Sequence, residues 1–432
     1  MALALSGQLR CSRALPARAV NASRKHSDSP YTAARLGPRR FVWRLAYTLR
    51  MDDSDELLAW LTLLRAPGVG GAALRALLQE AGSARAACRD ARRLRQRAGL
   101  DQAAQEWIER PDRARLDADL AWLAQPRHRL LRCDEADFPP QLETIPQPPA
   151  ALFVAGDAAT LLAPQIAIVG ARSASAQGLA NARDFARTLS RAGLTIASGM
   201  AEGIDGAAHA AALEAGGVTI AVVGTGPDLV YPRKHRNLAA RIIERGAIVS
   251  EFPPGTEARP DHFPRRNRLI AGLALGTLVV EAGLQSGSLI TARLAAEAGR
   301  EVFALPGSIH NPLAKGCHRL IRDGARLVET AAEVIEALAP AAQALGAGLR
   351  ARLEAEDVPG PIVPNPASRD QDPDYASLLA ALGDTPVALD ELVERTGLAP
   401  AALSSMLLLL ELEGTVSPVL NGRWQRIFGP GA

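Results

Sequence analysis

Aromatic residues, cysteines and long apolar runs are all scarce in this chain. Only 4% of its 432 residues are aromatic, so any surface on which nucleic-acid bases stack has to be small. The four cysteines are scattered and form no C-x-x-C pair, which argues against a metal site and favours a reducing, cytoplasmic compartment. No apolar run reaches about 18 residues, so we expect neither a membrane span nor a membrane partner.

A uniform excess of positive charge is also absent, although the whole chain has a net charge of +3. The net charge by segment is +9 for residues 1–50, −3 for residues 51–164, +3 for residues 165–340 and −6 for residues 341–432. This partition excludes a uniformly basic coat for nucleic acid. Any site for a polyanion must therefore be local.

Residues 1–50 form an Arg-rich, acid-poor extension, a composition that is also typical of organellar transit peptides. The acidic run from Asp52 to Glu56 precedes an apolar segment. Such a run is typical of a helix start, because acidic side chains in the first turn interact favourably with the helix dipole. We therefore interpret residues 1–50 as a disordered or spurious extension and Met51 as the native start.

Residues 51–130 are expected to form a helical domain. Apolar helices predicted at residues 57–64 and 72–78 flank the turn Pro67-Gly68-Val69-Gly70-Gly71, which is the pattern of a helix-hairpin-helix. Glycines in such a turn let backbone amides approach a duplex phosphate. The turn contains no Lys or Arg, however, and the alternative is an αα-hairpin that only packs within the chain.

The central part of the chain alternates short β-branched runs with amphipathic helical segments. Strands are predicted at residues 166–169, 194–197, 218–223, 247–249, 277–280 and 302–305. Because these runs are apolar on both faces, they indicate a parallel sheet with helices on both sides. We predict an α/β fold for residues 131–340, an extended Rossmann-like, doubly wound parallel sheet.

Small and polar residues follow the strands, at the edge where open α/β sheets bind ligands. Arg172 stands two residues after Gly170, at the position where a dinucleotide-binding fingerprint has its second glycine. The triphosphate-binding motif G-x-x-x-x-G-K-[ST] does not occur in the sequence. We therefore expect no nucleotide cofactor, and the arginine favours a bulkier anion such as a nucleic-acid phosphate. The basic segment Phe263–Arg268 adds guanidiniums for phosphates and an aromatic ring for a base, ahead of a short helix predicted at residues 269–275. The alternative for this segment is a solvated basic turn.

Candidates for catalysis are few. Asp205 and His209 lie four residues apart on one helix face, and we interpret the carboxylate as a cap for the preceding turn and the histidine as a packed residue. Glu251 and Glu281 each follow a strand and could act as acid and base, which keeps an enzyme hypothesis open. We favour the interpretation that both glutamates fix their loops by accepting backbone N–H bonds.

Several blocks in this order resemble the DprA/Smf (DNA processing protein A) family. They are Ile168–Arg172, Ser198–Asp205 with His209, Tyr231-Pro232, Ser250-Glu251, Phe263–Arg268, Glu281-Ala282 with Ser286–Ala292, Ala304–Ser308 and Asn311-Pro312. The resemblance is dense over residues 150–340 and extends over residues 51–432. It implies a non-enzymatic, homodimeric protein that binds and protects incoming single-stranded DNA and loads the RecA recombinase during natural transformation.

The resemblance also implies a DNA pocket without cofactor or metal. By position, its residues would be Gly170, Arg172, Ser198, Gly199, Phe263, Arg266, Asn267, Arg268, Ser286, Gly287 and Ser288. Gln285 stands where some members have a basic residue, which weakens one expected phosphate contact. The alternative function is a nucleotide hydrolase of the phosphoribohydrolase type that uses Glu251 and Glu281, although the loop after the fifth strand lacks the Pro-Gly-Gly start of those enzymes.

The C-terminal part is expected to consist of a linker, residues 341–373, and a small winged-helix domain, residues 374–432. Helices are predicted at residues 375–382, 389–395 and 400–413, and a β-hairpin with Asn421-Gly422 at its tip. The candidate recognition helix, residues 401–412, contains no Arg, Lys, Asn or Gln, the side chains with which helices read a DNA groove. We therefore predict a protein-contact module rather than a DNA reader.

Overall fold

The computed structural model describes residues 51–89, 99–356, 373–383, 386–412, 415–419 and 423–426. Apart from the first residues of the first helix, these belong to one compact unit, Ser54–Ala432. Three expectations from the sequence lie outside the described residues. They are the extension at residues 1–50, the later part of the linker at residues 357–372 and the hairpin tip at Asn421-Gly422.

The described part of the N-terminal module is helical, as predicted. Its helices are α1 (Met51–Leu64), α2 (Gly71–Ala81), α3 (Ala84–Arg89), α4 (Gln102–Glu109) and α5 (Arg113–Leu123). The turn between α1 and α2 contains Gly68, whose φ of 71° suits glycine. A Cβ on Gly71 would lie 2.8 Å from the carbonyl oxygen of Pro148. The start of α2 thus packs on the chain's own backbone.

A nine-stranded sheet follows. Its strands are β1 (His128–Arg132), β2 (Ala151–Gly156), β3 (Gln165–Val169), β4 (Thr195–Ser198), β5 (Thr219–Val222), β6 (Ala247–Ser250), β7 (Gly276–Val279), β8 (Glu301–Ala304) and β9 (Arg326–Leu327). The order is β1-β2-β6-β5-β4-β3-β7-β8-β9. The seven strands β3 to β9 are parallel to one another, and β2 pairs antiparallel with both β1 and β6. All six predicted strands are confirmed, and β1, β2 and β9 are additional.

Helices cover both faces of this sheet. They are α6 (Pro140–Glu143), α7 (Ala176–Arg191), α8 (Ile204–Glu214), α9 (Arg236–Arg245), α10 (His262–Leu273), α11 (Gly287–Glu297) and α12 (Lys315–Arg322). Alternate residues of β3 belong to two separate cores: Ile166 and Ile168 pack with α7 and α8, and Ala167 and Val169 pack with α10 and α11. The doubly wound prediction is confirmed.

The basic segment lies within α10 and does not precede a helix at residues 269–275, as the sequence suggested. Pro264 is compatible with this position because it lies in the first turn, where backbone amides have no partner inside the helix. The helical period therefore distributes the side chains of the segment. Phe263, Asn267 and Ile270 line one cavity, whereas Arg265 and Arg268 face Glu251.

A long helix, α13 (Ala331–Glu356), extends into the segment predicted as a linker. Its many alanines and leucines have high helix propensity, which outweighs the helix-breaking tendency of Pro340 in its interior. The irregular linker therefore does not begin at residue 341. Among the described residues, no helix is both long and apolar enough to cross a lipid bilayer.

The C-terminal elements form the predicted winged helix. They are α14 (Pro373–Leu382), β10 (Val387–Ala388), α15 (Leu389–Thr396), α16 (Pro400–Leu412), β11 (Val416–Val419) and β12 (Arg423–Arg426). The strands pair antiparallel in the order β10-β12-β11. Leu378, Leu392, Leu403 and Leu407 are fully buried between the three helices and this small sheet, so the domain has a core of its own.

Candidate nucleic-acid interface

A cavity of about 700 Å³ opens at the carboxyl edge of the sheet, between β3 and β7. The chain runs outward from β3 in one direction through β4, β5 and β6, and in the other from β7 to β8, so this is the switch point at which doubly wound sheets bind ligands. The loop after β3, the loop after β7 and the first turns of α10 and α11 form its walls. We call it the switch-point cavity.

Close backbone approach fixes the loop after β3. A Cβ on Gly170 would lie 2.6 Å from Cγ1 of Ile204 and 2.9 Å from the carbonyl oxygen of Glu281. The next amide, that of Ala171, donates to the same Glu281 oxygen at 2.7 Å. Glycine at position 170 is therefore needed for the loops after β3 and β7 to pack together.

The Glu281 carboxylate ties three loops together. It accepts hydrogen bonds from the Ser175 backbone amide at 2.9 Å, from the Ser175 hydroxyl at 2.6 Å and from Asn311 Nδ2 at 3.4 Å. Ser175 in turn caps α7 through its hydroxyl oxygen, which accepts from the amide of Gly178. The interpretation of Glu281 as a residue that fixes its loop is confirmed.

Arg172 is the exposed cation of the switch-point cavity. Its guanidinium carbon lies 5.6 Å from the centre of the Phe263 ring, within reach of a cation–π contact. In the described part of the chain no carboxylate forms an ion pair with it. The side chain is thus held at the cavity by an aromatic face while its donors stay available to an anion.

Two aromatic rings meet at the same place. The rings of Tyr231 and Phe263 have centroids 5.7 Å apart, and Tyr231 is 49% exposed. Both line the switch-point cavity. Sequence reasoning did not include Tyr231 in the site, although the resemblance singled out Tyr231-Pro232; the available signal was an aromatic residue in the loop that follows a strand.

Arg266 lines the cavity but is 5% exposed and is engaged with backbone. Its Nη1 donates to the carbonyl oxygen of Gly199 at 2.8 Å and also to that of Val222. Burial lowers the pKa of Arg266 to about 10, and the neighbouring Asp205 partly opposes this shift. Arg266 thus joins the ends of β4 and β5, and its direct contact with DNA stays a prediction.

Arg268 is paired below the cavity. It donates to Glu251, which also accepts from Nε of Arg265 at 3.1 Å, and the Arg268 side chain is only 11% exposed. Burial lowers the pKa of Arg268, and the Glu251 carboxylate opposes that effect. The structure does not bring Arg268 into the cavity, because its position in α10 directs it towards β6. The partners of Glu251 are arginines and not the backbone amides that the sequence suggested.

Ser198 and Gly199 also lie below the cavity surface. Ser198 is fully buried, and its hydroxyl donates to the carbonyl oxygen of Ile168 at 2.6 Å. A Cβ on Gly199 would lie 2.6 Å from Nη1 of Arg266. Ser198 thus ties β4 to the end of β3, and Gly199 leaves space for Arg266. The structure does not place either residue on the cavity wall.

The remaining predicted residues do reach the cavity. Asn267, Ser286, Gly287 and Ser288 all line it, as does Gln285. Ser286 is the N-cap of α11, and its hydroxyl accepts from the amide of Ser288 at 3.3 Å. The start of α11 therefore presents its backbone amides and its partial positive charge to the cavity, a combination that favours a phosphate.

Asp205 and His209 are structural, as the sequence suggested. Asp205 accepts from the amides of Gly199 at 3.1 Å and Ala201 at 3.3 Å, and burial raises its pKa in spite of Arg266. His209 is fully buried, and its Nδ1 lies 2.6 Å from Oγ1 of Thr219. Burial lowers the pKa of His209 to about 3, so this histidine is neutral.

Family models match three parts of the chain. The model described as DNA recombination-mediator protein A matches residues 129–339, the DprA-like N-terminal HHH domain matches residues 54–110, and the DprA winged helix domain matches residues 363–420. Protein Smf of Escherichia coli is 43% identical over 320 residues, which cover 74% of this chain and 83% of the relative. The chain belongs to the DprA/Smf family.

Two further DprA/Smf comparisons concern Streptococcus pneumoniae. Its DNA processing protein DprA is 47% identical over 191 residues, which cover 44% of this chain and 67% of the relative. The X-ray structure of DprA from that organism matches with a TM-score of 0.59 and 35% identity, covering 65% of this chain and 97% of the other. The switch-point cavity lies within the part that the recombination-mediator model matches.

Proposed function

We propose that this protein binds single-stranded DNA in the switch-point cavity and acts as a recombination mediator. The observation that carries the proposal is Arg172, an exposed guanidinium without a carboxylate partner in the described part of the chain, held over Phe263 beside the start of α11. Guanidinium and helix amides suit phosphates, and the Phe263–Tyr231 pair offers a face to an unpaired base. A base-paired duplex offers no such free base face, so the chemistry favours a single strand.

The arginines are proposed to contribute at two depths. Arg172 contacts a phosphate directly, while Arg266 and Arg268 add buried positive charge and position the cavity walls. Gly170, Asn267 and the segment Ser286-Gly287-Ser288 complete the DNA surface, and Ser198 and Gly199 support it from below. All the residues expected from the resemblance are thus retained, some in direct contact with DNA and the others in support of the cavity walls.

The decisive experiment is a fluorescence-anisotropy titration of oligothymidylate across a range of salt concentrations. Arg172→Ala should weaken binding and reduce the slope of log K against log salt by about 0.7, the value for one phosphate contact on a single strand. Arg191→Ala removes another exposed arginine, which does not line the cavity, and serves as the control. If the two variants bind alike, the assignment of the cavity is wrong.

The biological role that we propose is protection of incoming single strands and loading of the RecA recombinase during natural transformation, in the cytoplasm and by a homodimer. The family membership supports the recombination role. The homodimer is proposed on the resemblance of the sequence blocks to the family. Light scattering of the purified protein tests the dimer, and RecA assembly on single strands coated with binding protein tests loading.

We propose that the winged-helix domain contacts a protein. In support, α16 has no Arg, Lys, Asn or Gln among its residues, so it lacks the side chains for groove reading. A chain that ends at Glu356 should bind single strands and duplex as the full chain does. Loss of duplex binding in the shortened chain would show that the domain reads DNA.

The enzyme alternative finds little support in the geometry. Ser175 and Asn311 hold the Glu281 carboxylate, and Arg265 and Arg268 hold Glu251. Neither carboxylate lines the switch-point cavity. We therefore propose a non-enzymatic role without cofactor or metal, and release of free base from nucleoside monophosphates would contradict it.

A further inference from the structure

A second, smaller cavity of about 300 Å³ adjoins the switch-point cavity. The two cavities share Arg172 and Ser173 in their walls, so a nucleic-acid strand that leaves one cavity can enter the other directly. The second cavity lies on the helix face formed by α7 and α8, beside the short 3-10 turn Arg233–His235. We call it the side cleft.

Small residues form the floor of the side cleft. Gly206, Ala207 and Ala210 of α8 lie there, between Arg183 of α7 on one wall and Lys234 on the other. A Cβ on Gly206 would lie 2.9 Å from Cε1 of His235, so the wall of the cleft approaches the helix backbone closely. The cleft therefore has a floor of small, uncharged residues and carries the cations Arg183 and Lys234 and the carboxylate of Glu202 on its rims.

The charges on the rims favour a polyanion. Arg183 and Lys234 are both exposed, and Arg183 has no carboxylate partner in the part of the chain that the structure describes. Its neighbour Arg187, by contrast, pairs with Asp184 at 2.7 Å. The carboxylate that lines the cleft is Glu202, which lies 2.7 Å from Nζ of Lys234.

We propose that the side cleft is a second subsite for the same DNA strand, in which Arg183 and Lys234 bind the backbone phosphates that follow the one at Arg172. The inference rests on the proposed function of the switch-point cavity. No Phe, Tyr or Trp lines the cleft, and Nδ1 of its one imidazole, His235, lies 2.9 Å from the carbonyl oxygen of Met200. We therefore propose that the cleft holds the sugar–phosphate backbone without stacking bases and is indifferent to sequence. Glu202 competes with the strand for Lys234 and is displaced when the strand enters.

The test compares oligothymidylates from about 4 to about 16 nucleotides, the range of site sizes of compact single-strand modules. Arg183→Ala should leave binding of the shortest strands unchanged and weaken binding of longer ones by about fivefold, the value of one exposed ion pair. It should also reduce the salt slope for the longer strands by about 0.7. Arg191→Ala, on the same helix but outside the cleft, is the matched control and should change neither.

Glu202→Gln provides an opposite prediction, because it removes the competing charge beside Lys234 and should strengthen binding of long strands only. The proposed subsite is overturned if Arg172→Ala weakens binding while Arg183→Ala matches Arg191→Ala at every length and Glu202→Gln has no effect. A parent protein that binds no single strand at all overturns the proposed function, and with it this subsite. The two failures are thus distinguishable in one set of titrations.

Discussion

At the scale of single residues, burial gives three arginines of this site different roles. Arg172 is exposed and rests on an aromatic ring, Arg266 donates to backbone carbonyl oxygens, and Arg268 is paired with Glu251. The sequence predicts that all three arginines lie near the carboxyl edge of the sheet, but it does not predict which guanidinium lacks a partner within the protein. That property depends on partners such as Gly199 and Val222, which are distant from α10 in the chain.

Glu281 provides a residue-scale prediction, because it positions the Arg172 loop without lining the cavity itself. In Glu281→Gln one of the two acceptor oxygens becomes an amide nitrogen, so the Ser175 amide and hydroxyl can no longer both donate to this side chain. We expect the free energy of unfolding to fall by about 1–3 kcal/mol and binding of single strands to weaken. Urea titration and anisotropy measure the two effects. Glu297→Gln, on the surface of α11, is the control, and equal behaviour of both variants would contradict the role of Glu281.

His209 provides a prediction about pH. Oγ1 of Thr219 donates to the carbonyl oxygen of Ile196, so Nδ1 of His209 donates to Thr219 and the ring is neutral. The folded-state pKa is lowered to about 3, whereas an unfolded histidine has a pKa of about 6.5. Between these values the unfolded state binds more protons, so this contribution to stability is complete above pH 6.5 and is lost as the pH falls towards 3.

The measurement for His209 is the free energy of unfolding from pH 7 to pH 4, in the parent and in His209→Gln. The parent should lose up to about 1.4 kcal/mol per pH unit more than the variant within that window. Taking the difference removes the contribution of Asp205, whose raised pKa acts in the opposite direction. A parallel pair of curves for parent and His209→Gln would refute the buried neutral histidine.

At the scale of elements, the position of α10 explains how much of the site the sequence could predict. Six parallel strands and the basic segment were predictable, because apolar runs and clustered guanidiniums are local patterns. The helix start at His262 was missed, although the first turn of a helix tolerates a proline such as Pro264. The antiparallel strands β1 and β2 were missed as well, since β1 carries polar residues at both ends and is therefore not a continuous apolar run.

The geometry of α10 leads to a prediction for Phe263. Phe263→Leu keeps the apolar contact with the neighbouring loop but removes the aromatic face under Arg172. Binding of single strands should weaken by about 1–3 kcal/mol, the value of one stacked base, while the salt slope should stay that of the parent. Arg172→Ala should change that slope, so the pair separates stacking from charge. A reduced slope in Phe263→Leu would mean that the ring serves only to hold Arg172.

At the scale of the whole molecule, Arg65 forms a buried ion pair inside the N-terminal module and a hydrogen bond that joins this module to the sheet domain. Nε of Arg65 lies 2.5 Å from Asp119, and Nη2 of Arg65 also donates to the carbonyl oxygen of Pro254 at 2.8 Å. Pro254 belongs to the loop that runs from β6 to α10, the helix that carries Phe263. The module thus steadies one wall of the switch-point cavity, which gives the helical hairpin a role without any contact to DNA.

This ion pair should therefore affect both stability and binding. Asp119 is fully buried and burial raises its pKa, so removing its partner leaves a carboxyl group that is costly to keep charged. We expect Arg65→Met to lower the free energy of unfolding by about 3 kcal/mol in urea titration, and Arg65→Met with Asp119→Leu to recover part of it.

Arg115→Met, which breaks an exposed pair with Asp112, is the control and should lower the free energy of unfolding by less than about 1 kcal/mol. If Arg65→Met behaves like Arg115→Met, Arg65 does not hold the module to the sheet. If it loses stability but binds single strands like the parent, the module stabilises the fold without steadying the cavity wall.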